Sequence, residues 1–320
     1  MSVNEYLLTA PPHIKREDQI STAMRDVAIA LIPVIVMALV FFRLYALVNL
    51  VACVIAAVAS EWVMRKIMGR EPTIGDFSAI VTGLFVALLM PPAVPFWYAM
   101  IGTIIAVALV KELMGGLGYN IFNPALFGFV SMLIISRLWA LGNATYNLGS
   151  LDGVTSATPL TFLQEGALNG LRPGYWGLFL AHAGGAMAEV SLIAVLIGAA
   201  YLMYRGHITW HIPVSIIGTA FILSAILGQN PLYFVMAGGL AFGSFFMATD
   251  WVTSPDNRLA QIIYGVIIGI LIVVIRVYAA PTGAVAYSIL IGNALTPLLN
   301  KVVVRKRFGA VKTVPVTETE

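Results

Sequence analysis

Charge is scarce in this sequence: 10 % of the 320 residues are Asp, Glu, Lys or Arg, whereas 60 % are hydrophobic. Soluble domains carry about 25 % charged residues, so the chain reads as an integral membrane protein. Its length then counts membrane spans, not soluble domains. Cysteine is nearly absent. The single copy, Cys53, sits in an apolar run, which excludes a disulfide within the chain and iron–sulfur ligation by this chain alone. It reads as a small buried hydrophobe. Histidine is also rare: of His13, His182, His207 and His211, the 207/211 pair alone has a ligand-like spacing. At a span entrance that pair reads as an interfacial feature, and no metal residue is assigned. Residues 1–22 lack an apolar core and carry His13, Lys15, Arg16, Glu17 and Asp18, so no cleaved signal is expected and the first span serves for insertion. The pI near 9.0 does not point to nucleic acid, because the basic residues are spread between spans; membrane topology accounts for them.

What is abundant is apolar sequence in runs long enough to cross a hydrocarbon core of roughly 30 Å. They fall at 23–42, 44–64, 78–92, 95–113, 121–139, 178–204, 208–228, 231–248, 259–278 and 282–300. The expected fold is an all-α membrane protein of about ten transmembrane helices. The third and eighth runs are short, rich in small residues, and end in Met90-Pro91-Pro92 and Met247-Ala248-Thr249-Asp250, which suits broken or partly re-entrant segments. With both termini cytoplasmic, the inside carries Lys15, Arg16, Arg25, Arg65, Lys66, Arg70, Lys111, Arg205, Arg258, Lys301, Arg305, Lys306, Arg307 and Lys312, and the outside only Arg43, Arg137, Arg172 and Arg276. The positive-inside rule fixes that orientation. It gives a cytoplasmic N-terminal segment at 1–22, a first five-helix half at 23–139, an extracytoplasmic loop at 140–177, a second half at 178–300 and a basic cytoplasmic tail at 301–320.

The halves share a faint likeness. Thr82 to Ala87 resembles Gly238 to Gly243, and Asn123-Pro124-Ala125 corresponds to Asn293 through Pro297. Since five is odd, such halves insert with opposite orientation, as inverted repeats do in many transporters.

The most polar interval contains Leu151-Asp152-Gly153-Val154-Thr155-Ser156-Ala157-Thr158-Pro159-Leu160. As plain loop chemistry, Asp152-Gly153 makes a turn and Thr158-Pro159 opens a helix. The order of the residues says more: Asp152 to Thr158 has the form D-x-x-[ST]-[GS]-A-T and resembles the attachment motif for covalently bound FMN. The resemblance implies that Thr158 is the acceptor of an FMN phosphoester, with Asp152, Thr155, Ser156 and Ala157 as the recognition motif of a flavin transferase. A threonine hydroxyl is a weak nucleophile and needs activation from outside, which a second enzyme supplies.

Further stretches carry the same resemblance along nearly the whole chain. They are Pro11-Pro12-His13, Val81-Thr82-Gly83-Leu84, Lys111 through Asn120, Phe122-Asn123-Pro124-Ala125 and Thr249 through Pro255. They look like the family shared by the D subunit of the Rnf complex and the B subunit of the Na+-translocating NADH:quinone reductase, and the short start and total length favour the Rnf member. Ser156 stands where glycine is common in the motif, and Thr155 where serine is.

Ionisable residues in or beside the spans are Glu61, Asp76, Lys111, Glu112, Glu189 and Asp250. Glu61 and Arg65 read as an ordinary helical pair, and Lys111 with Glu112 as a local pair or a snorkelling lysine. Glu189 lies within the sixth run without a basic partner three or four residues on, and Asp250 stands among Thr249, Thr253 and Ser254. These two are the candidates for an ion path or polar core, since charge inside a bilayer must be paired or functional. Asn120, Asn123, Asn230 and Asn293 read as caps or cross-helix bonds. Phe96, Trp97, Tyr98, Trp139, Tyr175 and Trp176 suit an interfacial belt.

The resemblance implies an electron-carrying, ion-translocating component of a ferredoxin:NAD+ oxidoreductase in the cytoplasmic (inner) membrane, not active alone and without catalytic residues of its own. It implies the A, B, C, E and G subunits of the Rnf complex as partners, with ferredoxin and NAD handled by them, and allows riboflavin as a second, non-covalent flavin between spans. Two alternatives stay open: the B subunit of the quinone reductase, and a non-redox transporter or channel of urea-transporter-like architecture.

Overall fold

The computed structural model describes residues 20–71, 73–92, 94–138, 174–180, 185–279 and 282–303. Among them the regular structure is helical throughout, as a chain with no water to satisfy its backbone requires.

The first element, α1 (Ile20–Ile67), is broken at Arg43, which adopts φ 46° and ψ −121°. A straight helix of 48 residues would run about 72 Å. Instead the two ends of α1 come together. Met24 and Val27 line the same cavity as Ser78 and Lys111, and Lys111 pairs with Glu61 near the other end of α1. The chain therefore reverses at Arg43, where the sequence already divides two apolar runs.

Next come α2 (Ser78–Leu89) and α3 (Phe96–Ile105), which widens into a π-helical stretch at Ala106–Glu112, and then α4 (Pro124–Leu138). Buried Asn49 of α1 ties down the α2–α3 turn by donating to Pro92 O at 3.2 Å and Val94 O at 3.3 Å. Past residue 174 lie α5 (Tyr175–Leu180), a 3-10 turn at Met187–Glu189, α6 (Leu192–Tyr204), α7 (His211–Ile226) and α8 (Pro231–Met236). The remaining helices are α9 (Leu240–Phe242), continued by a π stretch at Gly243–Met247, α10 (Arg258–Tyr278) and α11 (Ala284–Val302).

By length and hydropathy, α1 and α10 suffice to cross a bilayer. The helices pack through small residues, as lipid-embedded bundles do. A Cβ on Gly198 of α6 would lie 2.1 Å from Ala30 O of α1, and one on Gly128 of α4 would lie 2.3 Å from Gly102 O of α3.

Two expectations about the spans are corrected or refined. The sixth run, 178–204, is not one helix: α5 and α6 are separated, with Gly185 in the left-handed region at φ +109° and Ser191 Oγ capping α6 by accepting from Ala194 N at 3.3 Å. The eighth run is interrupted as expected, between Met236 and Leu240, whereas the third forms the unbroken helix α2.

Candidate functional site

Among the described residues, three polar clusters interrupt the apolar bundle. The first is an ion-pair network where α1, α2 and α3 meet. Lys111 Nζ lies 3.1 Å from Glu61 Oε2, 2.6 Å from Ser78 Oγ and 4.0 Å from Glu112 Oε1. Arg65 Nε lies 3.1 Å from Glu112 Oε2 and 3.6 Å from Glu61 Oε1. Thr73 donates to Glu61, and Ser78 donates its hydroxyl to Asp76 Oδ1 at 2.5 Å and its backbone N–H at 2.8 Å. The side chains of Lys111 and Glu61 are 1 % and 0 % exposed. The snorkelling alternative for Lys111 is thereby overturned, while the local pair with Glu112 is present at 4.0 Å but is not the nearest contact. Its nearest carboxylate comes from another helix, because once α3 carries the ammonium into the bundle only a buried carboxylate offsets its desolvation.

The second cluster lies at the start of α1. Asp26, 3 % exposed at its side chain, receives Arg205 Nη2 at 2.7 Å and His207 Nε2 at 2.7 Å, and Tyr201 Oη at 3.1 Å. His207 is thus separate from His211, whose ring stacks on Trp210 at 4.2 Å.

These two clusters flank a cavity with aromatic walls from Phe85, Phe246 and Trp251 and polar walls from Thr82, Lys111, Asn120, Asn123, His207 and Asp250. Asn123 caps α4 by accepting from Leu126 N at 3.2 Å. With its amide oxygen set to accept from Asn123 N at 3.0 Å, Asn293 donates to Tyr264 Oη at 2.8 Å and Ile289 O at 3.2 Å. The two asparagines paired by the faint internal likeness therefore touch. Asn120 donates to Phe122 O at 3.1 Å, while its buried Oδ1 has no partner among the described residues.

Asp250 occupies the turn beyond the π stretch of α9, outside the helical spans. It accepts from Thr253 Oγ1 at 3.0 Å. Burial pushes its carboxyl up to about 6, against the opposing pull of hydrogen bonds from Thr253 and the backbone N–H groups of Val252 and Trp251. Of the two candidate ion-path residues, it is the one that lines the cavity.

Glu189 lies in the third cluster, within the 3-10 turn and not inside a helix as the sequence suggests. Its carboxylate is held between two glycines: a Cβ on Gly185 would lie 2.3 Å from Oε2, and one on Gly239 2.9 Å from Oε1. Both glycines have positive φ, so a side chain there would meet strain and collision together. A basic partner missing from its own helix comes from α10, where Arg276 attracts the carboxylate. Arg276 also donates to Phe234 O at 2.8 Å, Ala237 O at 3.1 Å and Gly238 O at 2.6 Å, which supplies donors to the carbonyls freed where α8 ends. Glu189 and Asp250 are kept apart by the length of α9 and its π stretch. Asp152, Thr155, Ser156, Ala157 and Thr158 lie outside the described residues.

Interrupted apolar helices around buried ion pairs and a polar cavity define a class, that of helical membrane proteins that keep charge inside the bundle for transport or coupling. Within that class, the chain belongs to the NQR2, RnfD, RnfE family, which matches residues 7–309. It is 37 % identical to the D subunit of the Na(+)-translocating ferredoxin:NAD(+) oxidoreductase complex of Acetobacterium woodii, over 97 % of this chain and 98 % of that protein. It is 36 % identical to the D subunit of the proton-translocating ferredoxin:NAD(+) oxidoreductase complex of Clostridium ljungdahlii, over 96 % and 97 %. The D subunit of the ion-translocating oxidoreductase complex of Methanosarcina acetivorans is 31 % identical over 97 % and 99 %. The family to which the motifs point is the family found.

Proposed function

We propose that this chain is the D subunit of an Rnf-type, redox-driven ion translocase, an enzyme component that works only within its complex. Full-length similarity to subunits so named supports this reading, because it spans both halves of the bundle and the loop between them. In that complex the chain would sit in the cytoplasmic membrane beside the A, B, C, E and G subunits, which handle ferredoxin and NAD. Its ten spans would form two inverted five-helix halves with both termini cytoplasmic, and the loop at 140–177 outside.

The observation that carries the redox reading is the residue order Asp152 to Thr158. Thr158 would hold FMN through a phosphoester installed by a flavin transferase, and the flavin would supply one- and two-electron chemistry there. Intact-mass measurement of protein co-expressed with the transferase tests this. An FMN adduct that disappears in Thr158→Val is the expected result, and an unmodified wild-type chain overturns it.

The chemistry of the cavity lining supports reading it as the place for the second flavin, riboflavin, that the sequence allows. An isoalloxazine needs aromatic or apolar faces and polar groups at its edge. Phe85, Phe246 and Trp251 would supply the faces, and Thr82, Asn123 and the partnerless Oδ1 of Asn120 the edge. Glu189 and Asp250 remain the residues proposed for the ion path or polar core. The relatives leave the ion open, since at 37 % and 36 % identity one is named for Na+ and the other for protons.

A further inference from the structure

We propose that His207, positioned by Asp26, exchanges protons with the redox-active occupant of the cavity; this rests on the flavin reading of that cavity. His207 lines the cavity from the turn between α6 and α7, with its side chain 18 % exposed against 3 % for Asp26. Its Nε2 lies 2.7 Å from Asp26 Oδ2. That oxygen also accepts from Arg205 Nε at 2.9 Å, and Oδ1 accepts from Tyr201 Oη at 3.1 Å. A carboxylate so placed fixes the imidazole with Nε2–H toward Asp26. In the neutral ring Nδ1 then carries the lone pair that takes up a proton. Trp251 holds the residue from the other side, its ring 5.4 Å from the imidazole and its Nε1 donating to His207 O at 2.6 Å.

The charged and titratable groups that face His207 or the groups bonded beside it are Asp26 and, next to Tyr201, Arg25 from α1; Tyr201, Arg205 and, next to Arg205, Tyr204 from α6 and its end; Asp250 from the turn after α9; and Lys111 across the cavity from α3. Lys111 is committed to Glu61 and Ser78. Asp250 is bound by Thr253 and the backbone of its own turn. His207 is the wall group whose imidazole is oriented by a buried carboxylate, the arrangement that general acid–base chemistry uses.

Electron and proton arrive by separate routes. A flavin held there would supply the electron chemistry, with the electron drawn from a one-electron redox centre of a partner subunit, and the role of His207 would be to give up its Nδ1 proton. The neutral ring then takes a proton from hydronium at the cavity mouth. One electron and one proton enter, and both His207 and Asp26 end unchanged.

The test uses the purified complex carrying Thr158→Val, so that any flavin bound to this chain is the non-covalent one, with His207→Gln, Asp26→Asn and Asp250→Asn compared. With flavin retained, His207→Gln is expected to slow reduction of that flavin by about 100-fold near pH 7 and to abolish the step in its pH profile. Asp26→Asn, which leaves the imidazole unoriented, is expected to slow the same reduction, though less than His207→Gln does. Independently of turnover, carbethoxylation of His207 by diethyl pyrocarbonate at fixed pH, read by peptide mass, should be faster in Asp26→Asn, where the ring is no longer held. Superimposed profiles in wild type and His207→Gln overturn the proposal. So does a step that survives in His207→Gln and vanishes in Asp250→Asn, or a carbethoxylation rate that Asp26→Asn leaves unchanged. Absence of any flavin from this chain in Thr158→Val complexes overturns the flavin reading itself, and the proton assignment with it.

Discussion

Lys111 meets a carboxylate of α1, a hydroxyl of α2 and the carboxylate next to it in α3, so its removal leaves three groups to rearrange inside the bundle. Removing one partner of a buried ion pair costs about 3–5 kcal/mol, because the remaining charge is left uncompensated. Lys111→Met should therefore lower the thermal midpoint of the detergent-solubilised protein sharply. The double variant Lys111→Met with Glu61→Gln should recover most of the loss, and a double-mutant cycle measures the coupling. Asp250 makes a second prediction at this scale. Its folded carboxyl is pushed up to about 6 from 3.8, so the folded chain holds a proton that the unfolded chain has already released. That contribution is complete below the unfolded value and is lost as pH rises through about 6. Asp250→Asn cannot ionise. The difference in thermal midpoint between variant and wild type should shift in the variant's favour from pH 4 to pH 7 and stay level above.

Among the helices, close approach is set by residues with no side chain. Gly198 places α6 against Ala30 of α1, and the same pair of helices carries the Asp26, Tyr201 and Arg205 contacts. Gly198→Leu should destabilise by about 1–3 kcal/mol or more through overpacking. Gly218→Leu, where a Cβ meets nothing within 4 Å, is the control and should change the unfolding midpoint little. How far such elements can be read in sequence depends on the range of the signal. The reversal at Arg43 is legible because a charge divides two apolar runs, and the interruption of the eighth run because small residues crowd there. The π stretches at Ala106–Glu112 and Gly243–Met247 are not, since a uniformly apolar run gives the same pattern at either helical pitch. Glu61 with Lys111, 50 residues apart, and Asp26 with His207, 181 apart, escape for a different reason. Spacing along a helix finds partners three or four residues away, and these meet only when distant spans pack. Glu189 is legible as a charge out of place, but its setting between Gly185 and Gly239 is not, because the sixth run reads as continuous.

For the molecule as a whole, orientation decides which chemistry each end can perform. The cavity, with Asp26, His207 and Asp250, gathers where α1 begins, α4 begins and α9 ends; α4 leads away from it to Leu138, from which the chain continues toward Thr158. One end thus holds the polar cavity, and the segment carrying the attachment motif leaves from the other. In the proposed topology, which follows the excess of Lys and Arg on one side, the cavity would face the cytoplasm and the motif the outside. Chemical labelling checks this directly. Cys53 is the sole cysteine and is buried, so a Cys53→Ala background gives a blank surface for single cysteines. Gln229→Cys, between α7 and α8, is expected to react with a membrane-impermeant maleimide in intact cells. Asp256→Cys, between α9 and α10, should react only after permeabilisation. The reverse pattern would place Thr158 in the cytoplasm, away from the side where flavin attachment is proposed. Both sites labelling from the same side would instead require that α8 and α9 enter and leave by one face, which removes the five-plus-five arrangement while leaving family membership intact.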